Sequence, residues 1–179
     1  APITVRWVDV NKGDDGSPRY RSRLVARQLK CRDKSGDSYF SPTPPLEGLR
    51  AVLSLAATSC GTWRVVLDPE SEDRTQISTI DISRAYFNAV KDADDPTFVE
   101  LPTEEPGSGT MCGLLLRHMY GTRGAADGWQ EEYSTSLVAL GFTQGMSSPC
   151  LFVHHQRSIF VTVHGDDFTS VGSKRQLDW

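Results

Sequence analysis

The chain has 179 residues, 38% of them hydrophobic, and a formal net charge of −4. That content buries a core in one domain, or one domain with a subdomain, and the mild acidity excludes a generally polyanion-sticky protein. Cys31, Cys60, Cys112 and Cys150 form no CxxC pair and the histidines no HxxxH pair. This argues against a zinc centre and a disulfide framework, and for reduced thiols in an intracellular protein. The longest apolar run, around Ala51–Ala57, is far too short to span a bilayer, and no charged leader with an apolar core is seen. Ending at Leu177-Asp178-Trp179, the chain reads as a piece of a longer polypeptide.

Ile3–Val10 alternates like a strand, Asn11–Pro18 is dense in turn residues, and Tyr20–Leu29 resumes as a second strand, which predicts a hairpin. Seven basic residues lie between Arg19 and Lys34 against one acid, Asp33. Arg21, Arg23 and Arg27 share parity, so a straight strand sets their guanidiniums on one face, as phosphate binding needs. A solvated face is the competing reading of the same residues. Ser41–Pro45 breaks the chain, with Thr43 as a cap and Pro44 as first helical residue, before a core helix marked by Leu46, Leu49, Val52, Leu53, Ala56 and Ala57 to about Thr58. Trp63–Asp68 reads as a strand and Pro69–Gln76 as an acidic loop.

Ile77–Asp81 is a short apolar strand that runs into a turn or short helix over Ile82–Phe87. Asp81 stands between Ile80 and Ile82, where a carboxylate is costly unless paired, metal-bound or capping a turn. Thr97–Leu101 is a further strand, Met111–Tyr120 is apolar enough to reach the core, and Ala125–Gly141 is the clearest helix. Trp129, Tyr133, Leu137 and Leu140 line its stripe, Asp127 with Gln130 resembles a capping box, and Gly141 ends it. Cys150–Val153 and Ile159–Val163 are strands joined by a tight loop. His164-Gly165-Asp166-Asp167 then places Gly165-Asp166 as the two-residue loop of a hairpin that continues through Phe168–Val171. Adjacent carboxylates at a hairpin tip are an ordinary turn or, with a third carboxylate such as Asp81, a cation site.

Taken in order, these features resemble the reverse transcriptase domain of copia-type retrotransposons. The likeness runs from Trp7 to about Gly172. It rests on Tyr20 with Arg23-Leu24-Val25-Ala26-Arg27, Phe40-Ser41-Pro42, Asp81-Ile82 with Ala85-Tyr86-Phe87-Asn88, Tyr120-Gly121, Gly141-Phe142, Cys150-Leu151-Phe152 and Asp166-Asp167. The chain departs from that family's Tyr-Val-Asp-Asp in carrying His164-Gly165-Asp166-Asp167. It also has Thr122-Arg123-Gly124-Ala125-Ala126-Asp127 in place of Leu-Lys-Gln-Ala-Pro-Arg.

The resemblance implies an α+β fold, a right-hand polymerase of fingers and palm, the palm a small antiparallel ferredoxin-like sheet backed by helices. Residues 1–76 and 89–124 would be mainly fingers, and 77–88 and 125–172 palm. Thumb, connection and ribonuclease H regions would lie elsewhere. It implies an RNA-directed DNA polymerase using two Mg2+ ions, replaceable by Mn2+, held by Asp81, Asp166 and Asp167. Tyr86, Arg21, Arg23 and Arg27 would meet the nucleotide, and His164 and Gly165 the primer end. Implied partners are template with primer, dNTPs and the rest of a Pol polyprotein, integrase upstream and ribonuclease H downstream, with no membrane. The implied place is a cytoplasmic virus-like particle or the nucleus.

Three other readings compete. Gly-Asp-Asp also suits an RNA-templated RNA polymerase, although an aromatic Tyr86 five residues after Asp81 favours excluding a ribose 2′-OH. A catalytically decayed copy would keep a folded nucleic-acid-binding domain, and a metal-free structural domain would use its aspartates only as turns.

Overall fold

In the computed structural model, which describes residues 1–28 and 45–179, the β-branched run ahead of Gly165 becomes the middle of a sheet. Five antiparallel strands, in the order β3-β9-β8-β7-β6, are β3 (Thr75–Asp81), β6 (Thr143–Gln144), β7 (Leu151–His154), β8 (Ile159–His164) and β9 (Asp167–Ser173). They belong to one of two compact units, formed within the described residues by 45–85 and 133–179; the other comprises 1–28 and 86–132.

The sheet unit is built around β8, because both its neighbours are strands and both its faces are covered. Phe152, Val163, Val171 and Cys150 are fully buried. Helix α1 (Leu46–Leu55) packs on β8 and β9. On the longest described helix, α2 (Ala125–Ala139), the Tyr133 ring meets Phe152 and Phe168 edge-on, at 6.1 and 5.7 Å. Gly141 closes α2 at φ 92°, and Phe142 N–H donates to Leu137 O at 3.0 Å, a left-handed cap that glycine adopts without a Cβ penalty. Asp127 is not the cap that the sequence pattern predicts. The helix begins two residues earlier, with Gly128 N–H donating to Gly124 O, so Asp127 sits in the first turn, where a carboxylate suits the helix dipole.

The acidic loop over Asp68–Asp73 is drawn to the C-terminal helix α3 (Lys174–Leu177), where Lys174 pairs with Glu72 and Arg175 with Asp73. Trp63–Asp68 is not a strand. Trp63 turns its ring edge-on to Phe160 at 5.4 Å and donates its indole N–H to Leu55 O, so side-chain packing directs this stretch. Helix α1 stops at Leu55 rather than near Thr58, and buries only Gly48 and Val52. The expected cap Thr43 and first residue Pro44 lie outside the described residues, as do Leu29 and Cys31. Cys60, Cys112 and Cys150 are in no disulfide among the described residues.

In the other unit, β1 (Val5–Asn11) and β2 (Tyr20–Ala26) form the expected hairpin, with Val5 opposite Ala26 and Asn11 opposite Tyr20. A second pair, β4 (Phe98–Glu100) and β5 (Cys112–Leu114), is joined to the first through a parallel bridge between Ile3 and Val99. The stretch Met111–Tyr120 is not a core run: Met111, Leu114 and Leu116 are exposed, and His118 and Met119 are the buried members. β5 is one strand of a two-stranded ribbon, and its Cys112 and Leu114 are exposed. Burial first, and then the Lys91 ammonium, lower the pKa of His118. No described helix is long and apolar enough to cross a membrane.

Packing separates two apolar residues that look alike in sequence. Phe152 is 1% exposed and Ile80, on the edge strand β3, 54%. Phe152→Ala is expected to cost about 3–5 kcal/mol in chemical denaturation and Ile80→Ala within about 0.5 kcal/mol. Equal losses would contradict the sheet order.

Candidate active site

The last residue of β3 and the first of β9 are both aspartates, and the sheet pairs them. Asp81 is the cross-strand partner of Asp167, and Asp167 is in turn the partner of His164 across the β8–β9 hairpin. Asp81, Asp167 and His164 therefore form one row over three neighbouring strands, on one face. Side chains of such partners have Cβ atoms about 4.5–5.5 Å apart. Asp166 stands one position away, in the two-residue loop with Gly165, and its carbonyl accepts the Ile82 N–H at 2.9 Å. Gly165 has φ 65°, and a Cβ there would meet nothing within 4 Å, so the left-handed turn is what requires glycine. The three carboxylates expected to act together thus lie at one corner of the sheet.

Asp81 does not carry the burial cost anticipated from its isoleucine neighbours. β3 is an edge strand, Ile77 and Ile80 are half exposed, and Asp81, Asp166 and Asp167 are all exposed. Among the described residues no three His, Cys, Asp or Glu side chains are gathered into a ready-made metal cage. The donor set itself is of the right kind for magnesium, which takes one or two carboxylates and completes its octahedron with water and substrate phosphate.

The nucleotide-side candidates lie in the other unit. Arg21 and Arg23 face Val10 and Val8 in the β1–β2 ladder, two positions apart and so on one face. Arg27 falls just past β2 and donates its backbone N–H to Thr4 O at 2.8 Å. All three are exposed. The structure adds a residue that sequence reading treated only as a frame piece. The Tyr120 ring has the Arg23 guanidinium 5.5 Å above it, and meets Tyr86 at 4.5 Å and Phe87 at 5.7 Å. Its backbone carbonyl accepts from Ala26 N–H at 2.8 Å. Gly121 follows at φ 88° with the Ala26 carbonyl so near that a Cβ would collide, which explains a Tyr-Gly pair here. Tyr86, on a 3-10 turn (Ala85–Asn88), is accordingly a packed aromatic, whatever else it does.

A family model described as reverse transcriptase (RNA-dependent DNA polymerase) matches residues 1–177. The chain belongs to the reverse transcriptase family. Curated relatives are named as Pol polyproteins of transposons. The retrovirus-related Pol polyprotein from transposon TNT 1-94 of Nicotiana tabacum is 26% identical over 186 residues, covering 98% of this chain and 13% of the relative. Those from transposons RE2 and RE1 of Arabidopsis thaliana are 28% and 27% identical, again over 98% of this chain and 11% of each relative. The chain therefore spans about an eighth of the polyproteins it matches, and the copia-type likeness read from its motifs holds. No solved structure matches. As a reverse transcriptase domain, the chain sets its Asp81 strand beside its Asp166-Asp167 hairpin.

The ring contact of Tyr86 with Tyr120 is measurable. A double-mutant cycle of Tyr86→Ala and Tyr120→Ala should return a coupling of about 0.5–1.5 kcal/mol in equilibrium unfolding. Strict additivity would mean that the rings do not support one another.

Proposed function

We propose that this chain is the RNA-directed DNA polymerase module of a retrotransposon Pol polyprotein, extending a primer 3′-OH with dNTPs on a nucleic-acid template. The observation that carries the reading is the Asp81–Asp167 pairing beside Asp166 at an exposed sheet corner. In right-hand terms the sheet around Asp81 and residues 125–172 would be palm, and the β1–β2 hairpin with residues 89–124 fingers.

Asp81, Asp166 and Asp167 would hold two Mg2+ ions, which when bound lower the barrier to attack by the primer hydroxyl and neutralise charge on the phosphates. The aspartates contribute fixed negative oxygens, and their exposure leaves room for phosphate and water to complete the coordination. His164 and the open, narrow Gly165 turn would border the primer end. A residue with a large side chain ahead of Asp166 would narrow that space. Arg21, Arg23 and Arg27 offer guanidiniums to phosphate, with Arg23 braced by the Tyr120 ring. Tyr86 would present a flat wall to the sugar and favour deoxyribose, in addition to its packing role. The cellular setting would be that of the element, a virus-like particle or the nucleus.

Primer extension by the polyprotein that carries this chain tests the reading. The wild type should incorporate dNTPs in a magnesium-dependent way and discriminate against rNTPs. Asp81→Asn and Asp167→Asn should each fall to background without loss of folding. Near wild-type extension by either variant would overturn the site. Preferential rNTP use would point to an RNA polymerase, and no extension with retained nucleic-acid binding to a decayed copy.

A further inference from the structure

Between Arg74 and Lys91 the chain carries one basic residue, Arg84, three positions after Asp81 and two before Tyr86. It is exposed, and among the described residues its guanidinium makes neither an ion pair nor a hydrogen bond. The cations on either side along the chain are engaged, Arg74 with Pro69 O and Lys91 with Asp95 at 2.7 Å.

The backbone marks the same residue. Arg84 has φ 56°, in the left-handed region that a residue with a Cβ occupies at a cost. Among the described residues the other such case is Ser158 at φ 51°, which sits in the tight loop between β7 and β8. Arg84 closes no hairpin. It is held from both sides, since Ile82 N–H donates to Asp166 O at 2.9 Å and Ala85 is 1% exposed. Glycine would make this turn without the cost, so a strained arginine here points to a use for its side chain.

Position and charge narrow that use. Three residues of chain span at most about 11 Å, which keeps Arg84 beside the aspartate corner. Unlike Arg21, Arg23 and Arg27, it belongs to the same compact unit as Asp81, Asp166 and Asp167. A guanidinium that is not spent on those carboxylates keeps its forked donors open to an anion, and phosphate fits the fork. An anion that approaches three carboxylates needs cations with it, as a metal-bound polyphosphate has.

We propose that Arg84 is a further substrate-binding residue, whose guanidinium holds the polyphosphate tail of the incoming nucleotide beside the aspartate corner. The inference rests on the polymerase reading and adds to it a residue of the aspartates' own unit.

Two measurements test it. In primer extension by the polyprotein that carries this chain, Arg84→Ala should lower kcat/KM for dNTP at least about tenfold. The loss should lie in KM, because the tail is held alike before and during the reaction. Arg84→Lys should recover part of it. Arg84→Gly should lose as much as Arg84→Ala and melt no lower than the wild type, since glycine accepts the left-handed φ. The second measurement titrates tripolyphosphate with Mg2+ into the 179-residue chain and follows backbone amide shifts. The amides of Ser83, Arg84 and Ala85 should shift together in the wild type, and Arg84→Ala should bind at least about tenfold more weakly. An unchanged KM or a loss confined to kcat would overturn the proposal. So would weakened primer–template binding at unchanged KM, which marks a contact to the nucleic-acid backbone, or a lowered melting temperature of Arg84→Gly, which marks a structural role. Should the wild type extend no primer, the polymerase reading fails and the tripolyphosphate titration decides the role of Arg84 alone. Tripolyphosphate that does not bind, or that binds Arg84→Ala as well as the wild type, overturns the proposal in either case.

Discussion

The pairing of β3 with β9 is the constraint on which the candidate site depends. Seven residues of each strand are in register, from Thr75 opposite Ser173 to Asp81 opposite Asp167. Ser170 also donates its hydroxyl to Ser78 O, 92 positions away. Bringing such distant segments together costs chain entropy that local hydrogen bonds do not offset by themselves. The offset comes from β9, whose Val171 is fully buried and whose Phe168 meets Tyr133. A slip of one position would turn Asp81 to the opposite face from Asp167 and dissolve the row. Position in the sheet thus does for three aspartates what clustering along the chain cannot.

The other unit depends on a smaller joint. Tyr120 accepts the Ala26 N–H through its carbonyl, carries Arg23 and the aromatic pair Tyr86 and Phe87 on its ring, and is followed by a glycine that allows the close approach. One dipeptide therefore fixes both the end of the β1–β2 hairpin and the ring contacts of a candidate sugar-facing residue. A substitution at Gly121 would be felt at Arg23 and Tyr86, although neither is its neighbour in sequence.

Much of this was legible in the sequence where the signal was local. Gly165 marks a turn because few residues take φ 65°, and Gly141 marks a helix end for the same reason. The parity of Arg21 and Arg23 followed from strand geometry alone. What the sequence hid was what packs on what. Trp63–Asp68 has strand composition, yet its tryptophan is claimed by Phe160 and Leu55 O. Met111, Leu114 and Leu116 are apolar yet exposed, on or beside one strand of a two-stranded ribbon. Asp81 looked buried between isoleucines, and an edge position leaves it in water.

We propose that the corner formed by Asp81, Asp166 and Asp167 gathers a divalent cation. Titration of Mn2+ into the chain, with paramagnetic broadening of backbone amide signals, reads that position directly. The amides of Asp81, Ile82, His164 and Asp167 should fade first and together, Mg2+ should restore them, and Asp81→Asn should blunt the effect. Broadening centred instead on the acidic loops at Asp68–Asp73 or Asp92–Asp95, with the hairpin tip still sharp, would contradict it.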